Sequence, residues 1–208
     1  MKLILFGGAE IGMAADELKL IERAIKKMKP KQVLHIPFAR IKETGTEWSG
    51  DWFHKHIHLK EVEYLNAKNK HDVAVAHFPL IFISGGIEHL NLINKINLNP
   101  RLLKLIREAS CIIGESAGSM VLGEYFRPGR KDVAKKMLQG LGILKDTIIE
   151  PHYTERGREN LLIEEMKETK AQYGIGIDSM TAMEFELKYS PKEFKKIGKG
   201  KIVVRTGR

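Results

Sequence analysis

The 208-residue chain contains a single cysteine, so it can form no internal disulfide, and a reducing compartment is expected. It has no unbroken apolar run near the roughly 18 residues needed to cross a bilayer. The opening run KLILF is far too short for the core of a secretion signal, and the expected location is the cytoplasm, with no membrane partner. Internal repeats, low-complexity segments and linker-like stretches are absent, so residues 1–208 are expected to form one domain with a sizeable core. The common phosphate-binding fingerprints are missing too. FGGAEIG (6–12) follows an apolar run but fits neither G-x-G-x-x-G nor G-x-x-x-x-G-K-[ST]. His54, His56 and His58 stand close together without an accompanying carboxylate or cysteine pattern, and no metal site is expected.

What the chain does have is basic charge, with 35 Lys and Arg against 26 Asp and Glu and a net charge of +9. Most of these residues are interspersed with acids, as in KLIERAIKKMK and LLIEEMKETK, which is the pattern of solvated helix faces. The exception is the tail, KEFKKIGKGKIVVRTGR (192–208). Such a distribution speaks to solubility and non-specific binding, so no dedicated nucleic-acid partner is expected.

Short apolar runs alternate with segments of helical period. KLILF (2–6) reads as a buried strand. AADELKLIERAIKKMK (14–29) places Leu18, Ile21, Ala24, Ile25 and Met28 on one helical face. QVLHIPFA (32–39), EVEYLN (61–66), LIFISGG (80–86) and CIIGES (111–116) read as further strands. HLNLINKI and NPRLLKLIREA (99–109) read as helices, with Asn99 as cap and Pro100 in the first turn. This alternation predicts an α/β fold, a largely parallel sheet covered by helices on both faces. In such sheets ligands bind beyond the carboxyl ends of the strands. Gly7-Gly8, Pro37-Phe38-Ala39, Gly85-Gly86 and Ser116 are therefore expected along one edge.

In GESAGSM (114–120), glycines flank a serine where a strand turns into a predicted helix, SMVLGEYF. Gly-x-Ser-x-Gly in that setting is a nucleophile elbow, a turn tight enough to need small neighbours, from which the hydroxyl projects. The amide of Ala117 would face an oxyanion formed there, and Gly85-Gly86 is the candidate source of a second amide. A serine nucleophile needs a base. His152 in IIEPHYTERGREN follows an apolar strand ended by Pro151 and should reach the same edge as Ser116. His35, His71, His77 and His89 have no motif around them and read as structural or exposed.

These segments together resemble the dipeptidase E and cyanophycinase family of serine peptidases, whose fold is related to class I glutamine amidotransferases. The resemblance runs through LILFGG, HIPFA, FISGG, GESAGS, EPHYTERGREN and GIGIDSMTAM (174–183), nearly the whole chain in order. It implies Ser116 as nucleophile, His152 as general base and the amides of Gly86 and Ala117 as oxyanion hole. Arg156 and Arg158 would hold an acidic group of a peptide substrate. It requires no cofactor.

Two positions depart from the family pattern. The Gly-Ile-Asp-Glu segment that supplies the triad acid in relatives reads Gly176-Ile177-Asp178-Ser179, which leaves Asp178, Asp132 and Glu155 as candidate acids. Ile87 stands where relatives often carry a polar residue. The implied function is a serine peptidase acting on short peptides, with dipeptides bearing an acidic N-terminal residue as the substrates the resemblance suggests. The alternative is a catalytically impaired relative that binds a small acidic ligand or a partner. A carboxylate at His152 would favour the enzyme, and Ser179 alone would favour the binding protein. The sequence leaves a homodimer open.

Overall fold

The computed structural model describes residues 1–40, 53, 56–57, 59–128 and 136–207. Its first sheet has the strand order β11-β10-β1-β5-β4-β2-β3. The parallel part comprises β1 (Lys2–Phe6), β2 (Gln32–Ile36), β3 (Glu63–Asn66), β4 (Leu80–Ile83) and β5 (Cys111–Glu115). On the far side of β1, β10 (Thr181–Glu186) and β11 (Lys195–Gly198) add antiparallel.

Alternation along each strand divides the core into two layers. Leu3, Leu5, Leu34, Ile36, Ile81, Ile83 and Ile112 enter one cluster, where they meet α3 (His89–Asn97) and α4 (Pro100–Glu108). Ile4, Phe6, Val33, Leu80, Phe82 and Ile113 enter the other, against Leu18, Ile21 and Ile25 of α1 (Ala14–Met28). Between β3 and β4 lies the short helix α2 (Lys70–Val75). Asn99 caps α4 as expected, its side chain accepting the Leu102 amide at 3.0 Å.

A second sheet, which the alternation of strands and helices does not predict, has the order β12-β9-β8-β6-β7. It consists of β6 (Gly123–Phe126), β7 (Leu138–Gln139), β8 (Leu144–Pro151), β9 (Tyr173–Ile177) and β12 (Ile202–Thr206). Ile149, Ile175 and Ile177 join the same apolar cluster as Leu3 and Leu5, so this sheet contributes to covering one face of the first. The helix expected over SMVLGEYF is corrected. The helix after the elbow, α5 (Ala117–Met120), is one turn long, and GEYF is a strand because its backbone pairs with β7 and β8. Pairing and burial there outweigh local helical spacing. The remaining helix, α6 (Glu159–Thr169), packs Leu162 and Met166 with Ile148.

The basic tail forms two strands rather than a free arm. β11 pairs with β10 in the first sheet and β12 with β9 in the second, so the chain's end joins the two. Lys195 and Lys196 are exposed on the edge strand β11, where charge discourages edge-to-edge association. No described helix is long and apolar enough to cross a membrane.

Candidate active site

The strand ends named from sequence do share one edge, because β1, β2, β4 and β5 run parallel. At that edge the end of β1 gathers three loops. Phe6 accepts the Ser116 amide at 3.0 Å, Gly7 accepts the His152 amide at 3.0 Å, and Gly8 accepts the Met180 amide at 2.9 Å.

The two glycines of the elbow are required by close packing. A Cβ at Gly114 would lie 2.8 Å from Ser119 Cα, and one at Gly118 only 1.9 Å from the Ile83 carbonyl oxygen. Between them Ser116 has φ 50° and ψ −112°, a strained conformation for a residue with a side chain. Its hydroxyl meets His152 Nε2 at 3.0 Å. His152, just beyond Pro151, also has positive φ, at 51°. The pair brought together here is the one picked out by the elbow and the Pro-His segment.

The other face of the imidazole is where the structure departs from expectation. His152 Nδ1 hydrogen-bonds Ser179 Oγ at 2.9 Å and lies 2.7 Å from Glu10 Oε1. The Ser179 hydroxyl donates to the same Glu10 oxygen at 3.1 Å, and Arg156 approaches it at 3.4 Å. Among the candidate acids, Asp178 is corrected. Its two carboxylate oxygens accept the backbone amides of Thr154 at 3.0 Å and Lys201 at 2.7 Å, so it ties loops together. Asp178 follows the end of β9 and Ser179 opens a turn, and it is Ser179 that faces the histidine. Glu155 accepts the Ser179 amide at 3.0 Å, one step removed from the imidazole. Asp132 lies outside the described residues, as do His54 and His58.

Sequence reasoning missed Glu10. It lies in FGGAEIG, two residues past the glycine pair at a strand end already assigned to the site edge, and that placement was the available signal. His89, read as structural or exposed, is also a pocket residue, held by a contact of its Nδ1 with the Arg127 carbonyl at 3.2 Å.

Electrostatically, burial and then the Arg156 charge lower the His152 pKa to about 4, while the Glu10 carboxylate opposes the shift. His152 is therefore neutral, and able to accept a proton, over the whole neutral range. Burial acts to raise the Glu10 pKa, but the charges of His152 and Arg156 outweigh it and the net shift is downward.

The amides of Ala117 and Gly86 have no hydrogen-bond acceptor among the described residues. Glu115 braces the glycine loop, accepting the Gly85 amide at 2.7 Å and Arg40 at 2.9 Å. In front of Ser116 is a pocket of about 480 Å³, lined in part by Glu10, Ile11, Ile87, Arg127, Arg156 and Arg158. Arg158 is tethered by Glu150 at 2.9 Å and by the Pro151 carbonyl at 2.7 Å. Arg127 bonds Glu150 at 3.1 Å and Glu165 at 3.0 Å. Burial first, and then the neighbouring Glu150, push Glu165 up to about 8. Glu165 Oε2 and Glu150 Oε1 are both buried without a donor, and a proton held by Glu165 supplies one. With Glu165 neutral, the two guanidiniums carry one uncompensated positive charge toward the pocket.

Comparison with solved structures supports the fold. A peptidase from an acI-B1 Actinobacterium matches with a TM-score of 0.67 at 24% identity, over 100% of this chain and 91% of that one. A putative peptidase E from Listeria monocytogenes EGD-e matches with a TM-score of 0.57 at 18% identity, over 99% and 98%. Among sequence relatives, a cyanophycinase of Synechococcus elongatus is 31% identical over 134 residues, 60% of this chain but 40% of that protein. A cyanophycinase of Geminocystis herdmanii is 26% identical over 136 residues, 61% of this chain and 49% of its own. The match thus spans less than half the length of these relatives. The family model for peptidase family S51 matches residues 3–188, and the chain belongs to that family.

Proposed function

We propose that this member of the family is a serine peptidase that cleaves short peptides through an acyl-enzyme on Ser116. The observation that carries the reading is the 3.0 Å contact between Ser116 Oγ, raised on a strained elbow, and His152 Nε2. In the reaction, Ser116 Oγ attacks the scissile carbonyl carbon and its proton passes to His152 Nε2. The carbonyl oxygen becomes an oxyanion facing the amides of Ala117 and Gly86, which have no acceptor among the described residues. The C–N bond then breaks and the imidazolium protonates the departing amine. A water molecule attacks the ester, gives one proton to His152, and releases the acid as Ser116 recovers its hydrogen.

The pocket supports substrates with an acidic group. Arg156 is about one-third exposed beside the reacting pair, and behind it Arg127 and Arg158 contribute the uncompensated charge described above. A guanidinium offers paired donors that match a carboxylate. Ile11 and Ile87, 88% and 57% exposed at the pocket wall, suit an apolar neighbour on the substrate.

The test is labelling with a fluorophosphonate probe, followed by hydrolysis assays on dipeptides with Asp or Glu at the N-terminus and on their Asn and Gln counterparts. One adduct on Ser116 that is lost in His152→Ala, together with faster cleavage of the acidic peptides, is expected. No adduct on the wild-type protein, with no cleavage of any peptide, overturns the reading.

A further inference from the structure

We infer that Glu10 and Ser179 together do the work of a triad acid: Ser179 Oγ and Glu10 Oε1 share the Nδ1–H of His152, and Glu10, from the loop after β1, supplies the negative charge. The inference rests on the serine-peptidase reading of Ser116 and His152 and adds the part which that reading leaves open.

The hydrogen-bond directions fix the assignment. A carboxylate only accepts, so the 3.1 Å bond between Ser179 Oγ and Glu10 Oε1 uses the serine's hydrogen. The serine oxygen is then left to accept, and its 2.9 Å contact with His152 requires the imidazole proton on Nδ1. That tautomer leaves the Nε2 lone pair free for the Ser116 hydroxyl. A neutral hydroxyl can orient the ring, but it cannot balance the charge that the ring acquires when it takes the proton. The Glu10 oxygen, 2.7 Å from Nδ1, can do so, and His152 is buried enough for an unbalanced charge to be costly.

The surroundings hold this arrangement in place. Arg156 approaches Glu10 Oε1 at 3.4 Å, Glu155 fixes the Ser179 amide, and the Gly7 and Gly8 carbonyls pin the backbone at His152 and Met180. Glu10, Arg156 and Arg158 are the charged groups that act on the imidazole. Both Glu10 and Ser179 are positioning residues, since each acts through His152.

The experiment measures the rate of fluorophosphonate adduct formation on Ser116 from about pH 2.5 to 8, a range that brackets the His152 midpoint and its downward shift. It compares the wild type, Glu10→Gln, Glu10→Asp and Ser179→Ala. Glu10→Gln keeps the size but loses the charge, and its amide can donate to Nδ1 and favour the wrong tautomer. A loss on the order of 10²-fold to 10⁴-fold is expected, with the pH midpoint moved downward. Glu10→Asp should recover part of the rate, and Ser179→Ala should lose less than Glu10→Gln because the carboxylate remains. A purely structural Glu10 would leave the midpoint in place. Nitrogen NMR of the wild-type His152 needs no variant, and protonated Nδ1 with bare Nε2 is the expected pattern. Glu10→Gln reacting at the wild-type rate with an unmoved midpoint, or the opposite tautomer, overturns the inference alone. A wild type that forms no adduct overturns the peptidase reading beneath it.

Discussion

Gly8 lies directly beneath the imidazole of His152. A Cβ placed on Gly8 would come 2.6 Å from His152 Cε1 and 2.9 Å from Ser116 Cβ, and its φ of 92° disfavours any side chain. The turn after the first strand is therefore part of the site, and the space above its glycine is where base and nucleophile meet.

Gly8→Ala should push the imidazole off Ser116. Because the clash is with the His152 ring and the Ser116 Cβ rather than with backbone, the folded protein should persist at reduced stability while adduct formation falls at least about 10²-fold. Circular dichroism with probe labelling checks this. Normal labelling of a folded Gly8→Ala protein would mean that the 3.0 Å contact tolerates displacement.

Gly118→Ala acts differently, because the added methyl would meet backbone, the Ile83 carbonyl oxygen at 1.9 Å. Neither the elbow nor the strand can yield cheaply, and a loss of about 3 kcal/mol or more is expected. At roughly 2–4 °C per kcal/mol for a chain of this size, thermal melting should show a drop of about 10 °C.

Arg156 lowers the His152 pKa and also faces the pocket. In the wild type the base is protonated only below about pH 4, so activity should be lost on the acid side there. Removing the guanidinium in Arg156→Gln lets the pKa rise, so the acid limb of kcat/KM should move to higher pH. The preference for an acidic over a neutral dipeptide should shrink by about tenfold or more. An unchanged limb with a lost preference would confine Arg156 to substrate binding.

Glu165 bears on stability rather than on the reaction. Its folded pKa of about 8 exceeds the ordinary 4.5, so between those values the folded protein holds a proton that the unfolded chain has released. Raising the pH through this window therefore costs stability. Glu165→Gln is neutral throughout and can still donate to Glu150. Its melting temperature relative to wild type should climb from pH 5 to pH 8, and parallel curves would show that no such proton is held.

Much of this was legible in the chain. The apolar run KLILF is the strand Lys2–Phe6, and the segment of helical period over 14–29 is the helix Ala14–Met28, because each carries a strong local pattern. The elbow and the Pro-His segment were legible for the same reason, since glycines flanking a serine after an apolar run are a local signal. GEYF has the local spacing of a helix but forms a strand, because its fate depends on a partner, β8, that follows it in the chain. Of the second sheet only β8 is legible, as the apolar strand ended by Pro151, since its partners are shorter or mixed and carry little pattern of their own.

The amino-acid sequence alone determined the parallel strands, the edge on which they end and the serine and histidine placed there, all through patterns within a few residues. Only the tertiary structure decided what stands behind the histidine. Glu10, His152 and Ser179 lie on three separate loops. They converge because β1 lies between β5 and β10, so its terminal carbonyls can take the amides of Ser116, His152 and Met180 at once. No periodicity encodes that meeting. It follows from strand order, and strand order is set by which apolar faces bury one another.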